Sequence, residues 1–195
     1  MKTLITFLSF LLIMSNQTMS QNSELPYHEI PDYPDEYNEY TVAARVVDGL
    51  GFRYYWATEG LREEDLTYQP AEDVRTISQT IEHIYGLSKT IVNAPQSKLN
   101  ASAQEDISFE EMRKRTLENI QMASKLIREG KTGDMDNYKV IFGSKGNTTE
   151  FPFWNMLNGP IEDAIYHTGQ VVAFRRAAGN PIPSGVRVFL GKRVE

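Results

Sequence analysis

The sequence predicts an all-α domain of four helices, and three observations support that class. Apolar residues recur at steps of three and four in four separate stretches between Tyr37 and Gly179, the spacing that lines one face of a helix. Helix start signals, Thr76 with Gln79 and Ser108 with Glu111, stand ahead of two of those stretches, in the pattern of a capping box. Strand-like sequence is confined to two short segments, Tyr138 to Phe142 and Val186 to Leu190.

The first helix is expected from Tyr37 to about Leu61. Tyr40, Ala43, Val47, Leu50, Tyr54, Ala57 and Leu61 form its seam. Gly49 and Gly51 each cost a helix about 1 kcal/mol relative to Ala, so close approach of a neighbouring backbone is expected there. Phe52, Tyr55, Trp56 and Glu59 make a second, aromatic face that reads either as core or as a pocket wall. A charged link containing Pro70 leads to the second helix, Ile77 to Val92, striped by Ile77, Ile81, Ile84, Ser88 and Ile91. His83 lies on the flank of that stripe.

For the third helix, Ser108 and Glu111 supply the cap and Ile107 with Met112 a hydrophobic staple. Phe109, Met112, Thr116, Ile120, Ala123 and Ile127 carry the period, and Gly130 is the expected stop. No apolar face recurs from Lys131 to Glu150. A connection of that length often serves as a lid. The fourth helix is expected from near Phe153 to the terminators Gly179, Asn180 and Pro181, with Gly159-Pro160 breaking or kinking its first turns. Trp154, Leu157, Ile161, Ile165 and Val172 form its apolar face, and Met156, Asp163, His167, Gln170 and Phe174 a second one.

Residues 1–20 have the layout of a secretory signal peptide: Lys2, an apolar run from Leu4 to Met14, then small residues ahead of Gln21. That run is shorter than the roughly 20 residues a membrane span needs. Residues 21–36 read as an extended, proline-containing arm with a solvated His28, and residues 37–195 as one helical domain. A periplasmic or secreted location is therefore expected, with no stable membrane span once the leader is removed. The net charge is −6, one unit more negative without Lys2. Nucleic acid and anionic membranes both call for a basic footprint and are not expected partners. With no Cys in the chain, disulfides, thiolate nucleophiles and thiolate metal sites are excluded.

The chemistry concentrates on the fourth helix. Asp163, His167 and Gln170 stand at i, i+4 and i+7, so a helix turns all three the same way. A carboxylate and an imidazole at that spacing can face one point, as ligand pairs on a helix do. Among the three histidines, His83 is the other one in a predicted helix. It would complete a two-His, one-carboxylate set with open coordination positions, suited to holding substrate or activating water. Gln170 would orient a ligand or a bound water. The plain alternative is a local Asp163–His167 ion pair with His83 turned away.

The arrangement of helices, the His of the second helix and the ending His167-Thr168-Gly169-Gln170, Arg176, Gly179-Asn180-Pro181 resemble the DinB superfamily, which includes YfiT-like metal-dependent hydrolases. The resemblance spans most of residues 21–195. It implies an antiparallel four-helix bundle with up-up-down-down connectivity and a long connection between helices three and four, often as a homodimer. In that family a divalent metal is held by one His of the second helix and two His four residues apart on the last. His83 and His167 match the first and last of these, and Asp163 replaces the middle His.

The Asp lowers the charge of a site holding a divalent ion from +2 to +1, which weakens its pull on a bound water's proton. It also shifts the set toward iron-type chemistry, with zinc, nickel and manganese still compatible. Trp56 and Glu59 would line a pocket beside the metal. The resemblance implies metal-dependent chemistry on a small molecule, the family's activities including thiol-dependent transfer and isomerisation; an exported chain does not meet a cytosolic low-molecular-weight thiol, so hydrolysis is the expected reaction and thiol-dependent transfer the alternative. A non-catalytic bundle that binds a small ligand or a protein, and an interaction module recognised through the arm, are the competing readings.

Overall fold

Asn38 opens the first long helix, α1 (Glu39–Thr58). Its side-chain oxygen accepts the amides of Tyr40 and Thr41, and Thr41 returns a hydroxyl acceptor to the Asn38 amide, so orphan donors at the helix start are satisfied. In this computed structural model, residues 25–101 and 105–194 are described; the apolar leader and residues 21–24 of the arm lie outside them. After α1 come the single-turn α2 (Glu63–Leu66), α3 (Ile77–Asn93), α4 (Phe109–Arg128), the short α5 (Trp154–Met156) and α6 (Glu162–Ala177). Thr76 and Gln79 form the reciprocal capping box expected for α3. At α4, Ser108 caps the Glu111 amide, while the Glu111 carboxylate turns to Arg115.

The four long helices enclose the core: α1 packs on α4 and α6, and α3 packs on the same two. The seams expected from the sequence point inward. Val47, Leu50, Tyr54 and Ala57 of α1, Ile77, Ile81, Ile84 and Ile91 of α3, and Leu117, Ile120 and Ile127 of α4 are all buried.

The fold is mostly helical and not strictly all-α. The stretch with no helical face, strand-like by sequence only from Tyr138 to Phe142, is a hairpin of β2 (Lys139–Ser144) and β3 (Asn147–Pro152), and the short β1 (Leu99–Asn100) pairs parallel to β2. Gly146, at φ +89°, sits in the two-residue turn, a conformation that favours glycine. Val140 is buried, and the Phe142 and Phe151 rings meet diagonally across the strands 6.4 Å apart, so packing across the pair holds the hairpin. A second hairpin, β4 (Val186–Arg187) with β5 (Lys192–Arg193), follows α6.

Gly159-Pro160 has a specific structural effect. Pro160 has no amide hydrogen to give, and Leu157–Ile161 forms a π turn joining α5 to α6. The wider turn shifts the phase of the helix. Trp154, expected on the apolar face, is 75% exposed; Ile161, also expected there, is buried, and beyond it the fully buried stripe of α6 runs through Ala164, Thr168, Val171 and Arg175, with Ile165 and Val172 partly buried beside it.

The arm is clamped to the domain in its described part. Tyr27 is buried and donates its hydroxyl to Asp48 at 3.0 Å. Burial, reinforced by the Asp48 carboxylate, raises the Tyr27 phenol well above its ordinary pKa, which keeps it a neutral donor. Asp48 also pairs with Arg128. His28 is half-buried against the Trp56 ring, with centroids 4.9 Å apart, rather than solvated as expected. Gly51 is the point of close approach, made by a side chain rather than by backbone. A Cβ there would lie 2.5 Å from the Tyr27 ring. Gly51→Ala is accordingly expected to destabilise by about 1–3 kcal/mol, and limited proteolysis should cut the arm before the helices.

Asp65 is fully buried and receives the Arg62 guanidinium at 2.7 and 3.0 Å and the Asn180 amide at 2.6 Å. The Arg62 side chain, with the Arg62 amide and Asn180 adding to it, holds the Asp65 carboxyl far below the usual carboxylate range. Because the folded value lies below the unfolded one, its stabilisation is complete above about pH 4 and is lost as the pH falls through the folded value. Thermal melts of Asp65→Asn should therefore fall several degrees below wild type at neutral pH, with the gap closing in strong acid.

Candidate metal centre

Two elements bring three side chains together. His83 comes from α3, and Asp163 and His167 stand one turn apart on α6, directly after the π turn. The His83 Nε2 lies 3.0 Å from one Asp163 oxygen, and the His167 Nε2 lies 3.3 Å from the other. The two imidazole rings meet edge to face at 4.7 Å. One ligand atom from each residue lies within 4.8 Å of the other two. His83 is thus not turned away, and the trio is more than an Asp163–His167 pair.

His167 is held from both sides. Its Nδ1 is 2.7 Å from the Gln170 Oε1, and its Nε2 is 3.3 Å from an Asp163 oxygen. In the tautomer in which Nδ1 donates to Gln170, the Nε2 lone pair is directed at the same point as the Asp163 oxygen, which suits a shared cation; in the other tautomer Nε2 donates to Asp163.

The donor types and their proximity are those of a group that could hold a divalent ion. Two atoms each about 2.0–2.1 Å from a common centre lie about 2.9 Å apart at a right angle and about 3.4 Å apart at a tetrahedral angle. The spacings of 3.0 and 3.3 Å, each to a different oxygen of Asp163, fall within that interval, and one ligand atom from each residue lies within 4.8 Å of the other two. Nitrogen, nitrogen and carboxylate oxygen suit zinc, iron, nickel and manganese alike. His167 is the most buried of the three, its side chain 12% exposed, against 32% for His83 and 41% for Asp163. Tyr166 abuts the His167 ring at 5.3 Å, and Gln170 holds the ring from its Nδ1 side, the place a supporting residue takes in metal sites.

A groove of about 650 Å³ runs from His83 along α3, walled by Leu87, Met112, Pro160 and Phe142. Phe142 belongs to β2, so the long connection reaches the groove. Lys89 and Glu105 pair across it at 2.9 Å. The Lys89 ammonium, with Tyr85 and Arg115 adding to it, holds the Glu105 carboxyl below its ordinary pKa.

Trp56 and Glu59 are engaged elsewhere. Trp56 is buried and donates its indole N–H to the His28 carbonyl, and Glu59 pairs with Arg113 at 2.6 Å. The arginine that matters structurally is Arg175, not the Arg176 of the sequence motif. Arg175 is 1% exposed, whereas Arg176 is on the surface. Nη1 of Arg175 donates to the carbonyls of Trp56, Ala57 and Glu59 at the end of α1. Nε and Nη2 bind the carbonyl and side-chain oxygens of Asn180. Its place at the end of the three-and-four stripe of α6 was the available signal.

Among solved structures, the chain resembles the crystal structure of a DinB-like protein, YjoA, from Bacillus subtilis. The TM-score is 0.54 at 15% identity, over 76% of this chain and 99% of that one. The fold is therefore DinB-like. No protein-family model and no curated protein matches the sequence. Among the described residues no helix is long and apolar enough to cross a membrane.

Proposed function

We propose that the chain is an exported, DinB-like metal-dependent hydrolase that binds one divalent ion through His83, Asp163 and His167. The observation that carries this reading is the convergence of the three side chains from two helices, with each imidazole Nε2 within 3.3 Å of an Asp163 oxygen. When bound, a divalent ion supplies Lewis acidity toward a carbonyl or phosphoryl oxygen and lowers the proton affinity of water. His83 and His167 hold the ion from two helices, and Asp163 offsets one unit of its charge. Gln170 orients the His167 ring through its Nδ1, and the groove beside His83 receives a small-molecule substrate. We place the leader at residues 1–20 and the domain at 37–195, in an up-up-down-down arrangement as a homodimer of periplasmic or secreted location.

The experiment is a panel of activated esters, amides and phosphoesters offered to the protein stripped with chelator and then reloaded with zinc, manganese, iron or nickel. Turnover that requires metal and is lost in His167→Ala is expected. Turnover equal in stripped and reloaded protein would refute the metal-dependent assignment. Stoichiometric metal binding without turnover of any substrate class would favour the non-catalytic binding bundle.

A further inference from the structure

The β4–β5 hairpin carries a feature that the metal centre does not use. Its turn places Val188, Phe189 and Leu190 at 42%, 97% and 48% exposure. The turn is fixed, not loose: Leu190 and Gly191 donate to the Arg187 carbonyl at 3.0 and 2.8 Å, the Ile30 amide donates to the Gly191 carbonyl at 2.8 Å, and Val194 closes on Gly185 at 3.0 Å. The clamped arm therefore holds three apolar side chains out into solvent.

Cations flank them. Arg187 and Lys192 face each other across the ladder on the shoulders of the tip, both exposed and neither in an ion pair among the described residues. Arg193 lies beside them over the Trp56 ring. We propose that this hairpin is a membrane-surface contact, in which Phe189 and its neighbours enter the interface of a bilayer while Arg187 and Lys192 meet anionic headgroups.

The shape favours a bilayer over a folded protein. Val186 and Val188 help line a small apolar groove against α1 and α6, but Phe189, 97% exposed at the turn between strands of two residues, projects away from any pocket wall, and a bilayer interface accepts such a protrusion without a complementary pocket. The net charge of −6 argues against a broad basic face, and the sequence has none. It leaves a local one, so the acidic body would approach an anionic surface only through this shoulder.

Sedimentation with sucrose-loaded vesicles tests the proposal, using equal parts phosphatidylglycerol and phosphatidylcholine against phosphatidylcholine alone. It is run on the full chain and on a chain starting at Gln21, so that the apolar leader does not mask the tip. The chain from Gln21 should bind the mixed vesicles more strongly and release with added salt. Phe189→Ser should weaken that binding about tenfold, in line with the burial of one large apolar side chain, and Lys192→Glu at least about fivefold. Both variants should keep the wild-type circular dichroism. Binding no stronger than that of Phe189→Ser, or binding unchanged by both substitutions, would overturn the proposal. So would an oligomer that Phe189→Ser converts to monomer without any vesicle binding, which would make the tip a contact between copies. Neither substitution touches the metal trio, so failure here leaves the metal reading standing.

Discussion

Arg175→Ala is expected to lower stability by about 3–5 kcal/mol, because it removes a buried cation whose every partner is also buried or at a helix end. The three carbonyls it serves, those of Trp56, Ala57 and Glu59, belong to the end of α1, where backbone acceptors have no partner within the helix and the dipole is negative. Asn180 would lose its orientation as well, and with it a donor to Asp65. One side chain thus ties α6 to α1 and α2. For a domain of this size the melting temperature should fall by about 10 °C. Arg175→Lys should recover little, since an ammonium cannot reproduce the planar fork. Arg176→Ala, on the surface, should stay within about 0.5 kcal/mol of wild type. Equal effects at the two positions would contradict this assignment.

The second large effect concerns the ion. If a structural site with four ligands is worth about 10–16 kcal/mol, each ligand contributes enough that His167→Ala or His83→Ala should cost about a hundredfold to a thousandfold in metal affinity. Gln170→Ala should cost about ten- to a hundredfold by releasing the His167 ring from its Nδ1 contact. The stripped protein should hardly notice these changes in a thermal melt, because the trio is partly exposed. Metal should raise the melting temperature of wild type and leave that of His167→Ala unmoved. Asp163→His should retain the ion with one more unit of positive charge at the site. A melting temperature that rises equally with metal in wild type and His167→Ala would place the ion elsewhere.

Much of the fold was legible because the seams of α1, α3 and α4 follow one uninterrupted helical period, and caps such as Thr76 mark their starts. The fourth helix was legible in extent and not in phase. Pro160 makes a π turn, and a period carried through it assigns Trp154 to the core and overlooks Arg175. The β2–β3 hairpin was missed beyond its first strand because β3 is exposed along its whole length, which leaves no buried alternation to detect; the Lys145-Gly146 turn was its only marker. The arm resembled a free segment because its anchor is one aromatic ring, Tyr27, seated on Gly51. At the site, i, i+4 spacing brought Asp163 and His167 together on sequence grounds alone, and the flank position of His83 pointed the right way. Trp56 and Glu59 share a helix face with aromatic neighbours, but their partners, His28 and Arg113, come from the arm and from α4, which no local pattern reveals.

The central claim, one divalent ion on His83, Asp163 and His167, is tested most directly by elemental analysis of protein purified without a metal-affinity tag and equilibrated with metal. One ion per chain in wild type, and none retained in either His83→Ala or His167→Ala, is the predicted result. Wild type free of stoichiometric metal, or an ion retained in both variants, would contradict it.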